Sequence, residues 1–211
     1  VRSKLVMVNF AACVIPLGSP FARRLVRAMA KVSKKHHLIR LRKGMKKDLS
    51  MWATFLRDFN GAQIWRAPRA TNLQLRLFTN ASGREGFGAI LGTKWCAAKW
   101  PNVWHKRGIT KNVAVLELFP IALAMLLWPK ELRDREIIFW SDNMAVVHAV
   151  NAQTAKCPLL LGLIRHLVRA CLYNNVDFRA RHIQGVRNTA ADALSRFQWI
   201  RFRKACPRRT R

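Results

Sequence analysis

Between residues 73 and 197 the apolar residues switch repeatedly between a period of two and a helical period, and this switching constrains the fold more than any other feature. Leu73, Leu75 and Leu77 alternate with Gln74, Arg76 and Phe78, which predicts a strand ending at Thr79-Asn80. Gly83 and Gly86 mark a turn. Phe87 to Leu91 and Lys94 to Trp100 then read as a second and a third strand. Val113 to Trp128 predicts a helix, in which Pro120 must form a kink or sit near the first turn. Glu136 to Trp140 is a short strand of the buried type, followed by a helix over Asp142 to Asn151 opened by Ser141-Asp142. Leu159 to Leu172 is an amphipathic helix, Val176 to Ile183 a strand, and Asn188 to Phe197 a final helix. The order β-β-β-α-β-α-α-β-α implies an α/β fold, a mixed five-stranded sheet with helices packed on it.

The first 62 residues follow a different pattern. Leu25, Val26, Met29 and Val32 recur at helical spacing within Phe21 to Val32, and Leu49, Trp52, Phe55, Leu56 and Phe59 share one face of a helix from Lys46 to Phe59. Asn60-Gly61 is a helix stop, and residues 63–72 (QIWRAPRATN) form a linker. The predicted organisation is a small basic helical segment over 1–62, the linker, the α/β domain over 73–197 and a basic tail over 198–211. Charge separates the same regions. Residues 1–70 hold 16 basic and 2 acidic residues, residues 71–196 hold 17 and 8, and residues 197–211 hold 6 basic residues and no acid. A formal charge of +29 on 211 residues points to a polyanionic partner, of which nucleic acid is the commonest. Arg40, Arg42 and Lys43, after Lys34-Lys35-His36-His37, are candidate phosphate contacts, as are Arg201 and Arg203 in the tail. The five cysteines form no C-x-x-C pair, so neither a zinc site nor a redox motif is expected. Their odd number suggests a reducing, intracellular setting, cytoplasm or nucleus, and no stretch is long and apolar enough to predict a membrane span.

Four polar residues interrupt this pattern. Asn80 ends the first strand, Glu117 sits within an apolar helix, Asp142 follows the strand Ile137-Ile138-Phe139-Trp140, and Asp192 lies in the small-residue helix TAADALSR. Each alone has an ordinary reading, such as a helix cap or a partner for a nearby cation. Together they suggest convergence, because strand ends and neighbouring helices can meet at one point of a mixed sheet.

Four segments in order resemble ribonuclease H. LFTNASGREGFGAIL is similar to its first hairpin, VLELFPIALA to its first helix, IIFWSDNMAVVHAV to its fourth strand and second helix, and ARHIQGVRNTAADALSR to its last strand and helix. The spelling of these motifs is similar to retrotransposon reverse transcriptases of the DIRS or Ty3-like type. The N-terminal segment resembles the thumb or connection region that follows a polymerase; no Tyr-x-Asp-Asp polymerase motif is present. The resemblance implies hydrolysis of the RNA strand of RNA–DNA hybrids by two Mg²⁺ ions, with Mn²⁺ as a substitute, held by four carboxylates. Glu117, Asp142 and Asp192 match three of these positions. The fourth carries Asn80, where the family has aspartate, and a neutral amide removes a full charge from both ion sites. The resemblance also suggests Ser82, Asn143 and Asn188 as nucleic-acid contacts, with Asn143 equally readable as a helix cap. It suggests His182 as a weak catalytic candidate, although a strand-end histidine is an equal reading. Trp95, Trp100 and Trp104 interleave with Lys94, Lys99, Lys106 and Arg107, a mixture that suits either base stacking or a core. The functional expectation is a hydrolase of doubtful activity or a non-catalytic nucleic-acid-binding remnant. A ribonucleoprotein component of similar size and charge accounts poorly for eight tryptophans and the ordered acids.

Overall fold

The computed structural model describes residues 7–8, 10–12, 15, 18–30, 32, 39–57 and 75–206. The chain divides into two units, Val1–Pro68 and Arg69–Arg211.

In the first unit, proline opens one helix and a ring cluster joins it to the next. Helix α1 (Ser19–Met29) has proline in its first two positions, where the missing N–H costs no helical bond. It buries Phe21, Ala22 and Leu25, while α2 (Lys43–Arg57) buries Met45, Asp48 and Trp52. Phe55 makes edge contacts with Phe21 at 5.5 Å and Trp52 at 5.7 Å. Arg24 Nη1 donates to the Gly44 carbonyl at 3.0 Å and lies 3.5 Å from Asp48 Oδ1, so the buried acid has a charged partner. Helix α2 begins three residues before the expected Lys46. Lys34 to His37, Asn60-Gly61 and the linker 63–72 lie outside the described residues.

The second unit contains a mixed five-stranded sheet flanked by helices, the architecture that the resemblance implies. Strands β1 (Leu75–Ala81), β2 (Gly86–Leu91), β3 (Lys94–Lys99), β4 (Glu136–Ser141) and β5 (Asp177–His182) lie in the order β3-β2-β1-β4-β5. The β1–β2 and β2–β3 pairs are antiparallel hairpins, whereas β1–β4 and β4–β5 are parallel. All six residues of β2 are buried because the strand is covered on both faces. On one face Phe87 packs with Trp100 and Leu116, flanked by Trp104 and Phe119. On the other Ile90 packs with Ala191, Ala193, Leu194 and Phe202, flanked by Phe78 and Trp95.

Four helices follow the expected order: α4 (Val113–Leu127), α6 (Met144–Asn151), α7 (Pro158–Tyr173) and α8 (Thr189–Ser195); a short helix that the sequence pattern did not predict, α3 (Asn102–Lys106), precedes α4. A four-residue turn of helix, α5 (Pro129–Leu132), precedes β4. Pro120 is the eighth residue of α4, so it lies in the helix interior and not near its first turn. Helix α6 starts later than Ser141-Asp142. Its cap is Asn143, whose side chain accepts from the Ala145 and Val146 amides at 3.0 and 3.4 Å. This leaves the Asp142 side chain outside the helix. The expected basic tail is in part a helix, α9 (Trp199–Ala205), which buries Phe202; residues 207–211 lie outside the described residues. Among the described residues no helix is long and apolar enough to cross a membrane.

Candidate active site

The parallel register between β1 and β4 determines where two of the four candidate residues meet. Leu75 faces Ile137 and Phe78 faces Trp140, and the same register continued by two residues brings Asn80 level with Asp142. His182 pairs with Ser141 at the adjoining end of β5. The hairpin partner of Asn80 is Gly88, and there α8 sits directly on the sheet. A Cβ on Gly88 would lie 2.4 Å from Leu194 Cβ and 3.0 Å from the Ala191 carbonyl, so only glycine permits this approach. The contact brings Asp192 to Asn80, whose Nδ2 donates to Asp192 Oδ1 at 3.1 Å. Helix α4 presents Glu117 from the other side, its Oε1 accepting the Ala81 amide at 3.0 Å. Asn80, Glu117, Asp142 and Asp192 therefore gather at the end of the sheet where β1 and β4 terminate. His182 stands exposed beside Asp142.

The carboxylates differ in their surroundings. Glu117 is 3% exposed, and its Oε2 has no hydrogen-bond partner. Burial, reinforced by the charge of Asp142, pushes its carboxyl up to about 8, so near neutral pH it is largely protonated. Burial likewise raises Asp142, with Asp192 adding to the effect. Asp192 moves the opposite way. Partial burial raises it, but Arg196 and Arg201 outweigh that and hold it below the ordinary carboxylate range. Arg196 Nε donates to Oδ1 at 2.9 Å and Arg201 Nη1 to Oδ2 at 2.7 Å.

This arrangement does not fit a pair of divalent cations. Asp192 accepts three N–H donors at 2.7–3.1 Å, and Asn80 turns a donor towards it because a carboxylate can only accept. Among the described residues no three of His, Cys, Asp and Glu are grouped so as to hold one metal ion. Of the four positions to which the motifs assign magnesium ligands, Asn80 is thus a neutral amide and Asp192 is engaged by Arg196 and Arg201.

Several expected nucleic-acid contacts have internal roles. Ser82 is 7% exposed, and its hydroxyl accepts from the Arg84 and Glu85 amides at 3.3 and 3.2 Å, which closes the β1–β2 turn. Asn188 is 2% exposed and donates to the Thr79 carbonyl at 2.9 Å, pinning the start of α8 to β1. Both side chains are buried and hydrogen-bonded within the fold. Asn143 caps α6. Trp100 is buried, stacks on Trp104 at 5.2 Å and donates to the Ser82 carbonyl at 2.6 Å. Trp95, partly buried, packs on Phe202 at 5.2 Å and on the exposed Trp199 at 5.7 Å, so Trp100 belongs to the core and Trp95 and Trp104 pack against it. Arg201 belongs to the rim of the site and Arg203 lies exposed on α9. In the first unit Arg40 and Arg42 join Arg24 and Arg27 around an open cleft of about 910 Å³, adjacent in sequence to Lys43.

The sequence pattern missed the clamp on Asp192, although two signals were present. Arg196 follows Asp192 by four residues, the spacing of an ion pair on one helix. Trp199, Phe202 and Cys206 recur at helical spacing and mark α9.

No protein-family model matches the chain, and no curated protein matches it. Several solved structures share its outline. The N-terminal RNase H domain of a Mycobacterium tuberculosis protein, solved as a fusion with maltose-binding protein, is 18% identical with a TM-score of 0.45, covering 58% of this chain and 95% of that one. An RNase H1 solved in complex with an RNA/DNA hybrid is 16% identical with a TM-score of 0.43, covering 57% and 93%. A foamy viral protease-reverse transcriptase in complex with dsDNA is 14% identical with a TM-score of 0.31, covering 85% of this chain and 38% of that one.

Proposed function

We propose that the chain is the ribonuclease H-type part of a retroelement reverse transcriptase, and that it binds RNA–DNA hybrids or related duplexes without hydrolysing them. The observation that carries this reading is the hydrogen bond from Asn80 to Asp192. An amide donor occupies the position where the motif calls for a carboxylate. Duplex binding is supported by charge: +29 overall, with an arginine-lined cleft in the first unit, Arg196 and Arg201 at the rim of the second and Arg203 exposed on α9. A protein of this kind recognises a hybrid through its backbone and 2′-hydroxyls and not through base sequence. The polymerase portion would belong to the same polyprotein.

A second reading, a slow Mg²⁺- or Mn²⁺-dependent hydrolase, draws on one specific observation. Glu117, Asp142 and Asp192 still gather at one sheet end, and Glu117 Oε2 is buried without a partner. One experiment separates the two readings. A hybrid labelled on its RNA strand is titrated with the full chain at rising salt, first with Mg²⁺ and then with Mn²⁺, and the RNA is sized after each titration. The binding reading expects tight association that weakens steeply with salt, as each neutralised phosphate releases counterions, with the RNA left whole. Affinity that stays flat between low and physiological salt contradicts duplex binding; shortened RNA selects the hydrolase.

A further inference from the structure

Asp192 is surrounded much as a cation-bound carboxylate is, but by nitrogen donors. Arg196 reaches Oδ1, Arg201 reaches Oδ2, and Asn80 adds a second bond to Oδ1. Two guanidiniums carry the same formal charge as one divalent ion. Their placement is built into the fold. Phe197 adopts φ 57°, in the left-handed region, which turns the chain sharply between α8 and α9. The Gln198 amide closes this turn on the Ala193 carbonyl at 2.8 Å, and Phe202 locks α9 against Ile90, Leu194 and Trp95. Arg201, one residue before Phe202, is thereby held over Asp192, and Gln198 Oε1 accepts a further bond from its Nη1 at 3.0 Å. Burial of Phe202 distinguishes this arrangement from a solvated tail whose arginine happens to find an acid.

The guanidiniums are not used up by Asp192. The side chains of Arg196 and Arg201 are 51% and 49% exposed, whereas that of Asp192 is 19% exposed. A guanidinium has five N–H donors, and these bonds engage Nε of Arg196 and Nη1 of Arg201. The remaining edges suit a phosphodiester oxygen, since the guanidinium fork matches phosphate as it does carboxylate.

We propose that Arg196 and Arg201 take the place of the divalent cation at this rim: they neutralise Asp192 and offer their outer N–H donors to a backbone phosphate of the bound duplex. Hybrid binding at this site then needs no metal. The inference rests on the duplex-binding reading above, and it adds the groups that replace the metal and the phosphate they take. It also places α9 in contact with the ligand.

The test uses the full chain, a fluorescein-labelled RNA–DNA hybrid followed by anisotropy, and Mn²⁺ followed by calorimetry without nucleic acid. Three variants are compared with the unaltered chain. Arg196→Ala/Arg201→Ala removes the guanidiniums. Lys130→Ala/Arg133→Ala removes the same charge before β4, at the far end of that strand from Ser141. Arg201→Lys keeps the charge and loses the fork. The unaltered chain should bind hybrid equally in EDTA and in Mg²⁺ at matched ionic strength, and give no Mn²⁺ heat. Arg196→Ala/Arg201→Ala should bind hybrid about tenfold more weakly in EDTA than the control pair does, the effect of losing charge-assisted bonds to phosphate. Arg201→Lys should fall between them, which guards against misfolding of the double variant. Mg²⁺-strengthened hybrid binding or saturable Mn²⁺ heat in the unaltered chain overturns the proposal, as does equal weakening by both charge-removing pairs. If the unaltered chain binds no hybrid at all, the duplex-binding reading has failed, and Mn²⁺ heat still decides whether guanidinium has replaced the cation.

Discussion

The two sides of the sheet end hold carboxylates with opposite fates. On the α4 side Glu117 is buried with one oxygen unpartnered and takes up a proton, its carboxyl raised to about 8. On the α8–α9 side Asp192 is held ionised by two arginines. A site built for cations would supply counter-charge to both sides. Here the counter-charge comes from the protein and reaches one side only. Carboxylates that share one sheet end can therefore be balanced by protonation where burial dominates and by ion pairing where solvent and arginines reach.

The largest expected effect breaks the comparison at Glu117. A carboxyl with a raised folded-state value gives most stability below its ordinary value of 4.5 and loses it as pH rises through about 8. Glu117→Gln keeps an oxygen for the Ala81 amide and cannot ionise. Thermal melts above that pH should show the variant more stable than the unaltered chain, by an amount on the order of 4 kcal/mol, with the difference vanishing at low pH. Equal melting temperatures across the whole range would show that Glu117 is not strained by its charge.

A second effect, of about 2–3 kcal/mol, is expected from Gly88→Val. The added side chain meets Leu194 and the α8 backbone, so the helix that carries Asp192 must move. Denaturant unfolding measures the loss. Unchanged stability would mean that α8 does not depend on this close approach, and the proximity of Asp192 to Asn80 would need another cause.

The smallest effect sharpens the other side. Asp192→Asn removes two ion pairs whose arginines are half exposed, so solvent screens them and the cost in stability should stay below about 1 kcal/mol. A loss several times larger would show that the clamp holds α9 in place and is not an adjustable counter-charge.

Much of this was legible in the sequence. The alternation of Leu75 and Leu77 and the apolar run Ile137 to Phe139 placed β1 and β4, and two of the interrupting polar residues, Asn80 and Asp142, marked their ends. Internal roles were harder to read. Ser82 and Asn188 are polar residues near a site, and only burial and hydrogen bonds reveal that one closes a turn and the other pins α8. The cap role of Asn143 was one of the two sequence readings of that residue, and it frees Asp142, one residue earlier, from the helix. Helix α9 was concealed by its own charge, since Arg201, Arg203 and Lys204 dilute the apolar spacing of Trp199, Phe202 and Cys206. Arg201 lies nine residues from Asp192, and no helical spacing links them; the contact depends on the turn at Phe197.

The central claim is that Asn80 and the arginine clamp together separate binding from hydrolysis. The most direct measurement sizes the RNA strand of a labelled hybrid after incubation with Mg²⁺, comparing the unaltered chain with Asn80→Asp/Arg201→Ala. The unaltered chain should leave the RNA whole, while the double variant should yield fragments with 3′-hydroxyl and 5′-phosphate ends at a rate about a thousandfold higher, the equivalent of ~4 kcal/mol in the barrier. Equal cutting by the two proteins would contradict the claim, since an amide and a clamped carboxylate would then serve as well as the residues they replace.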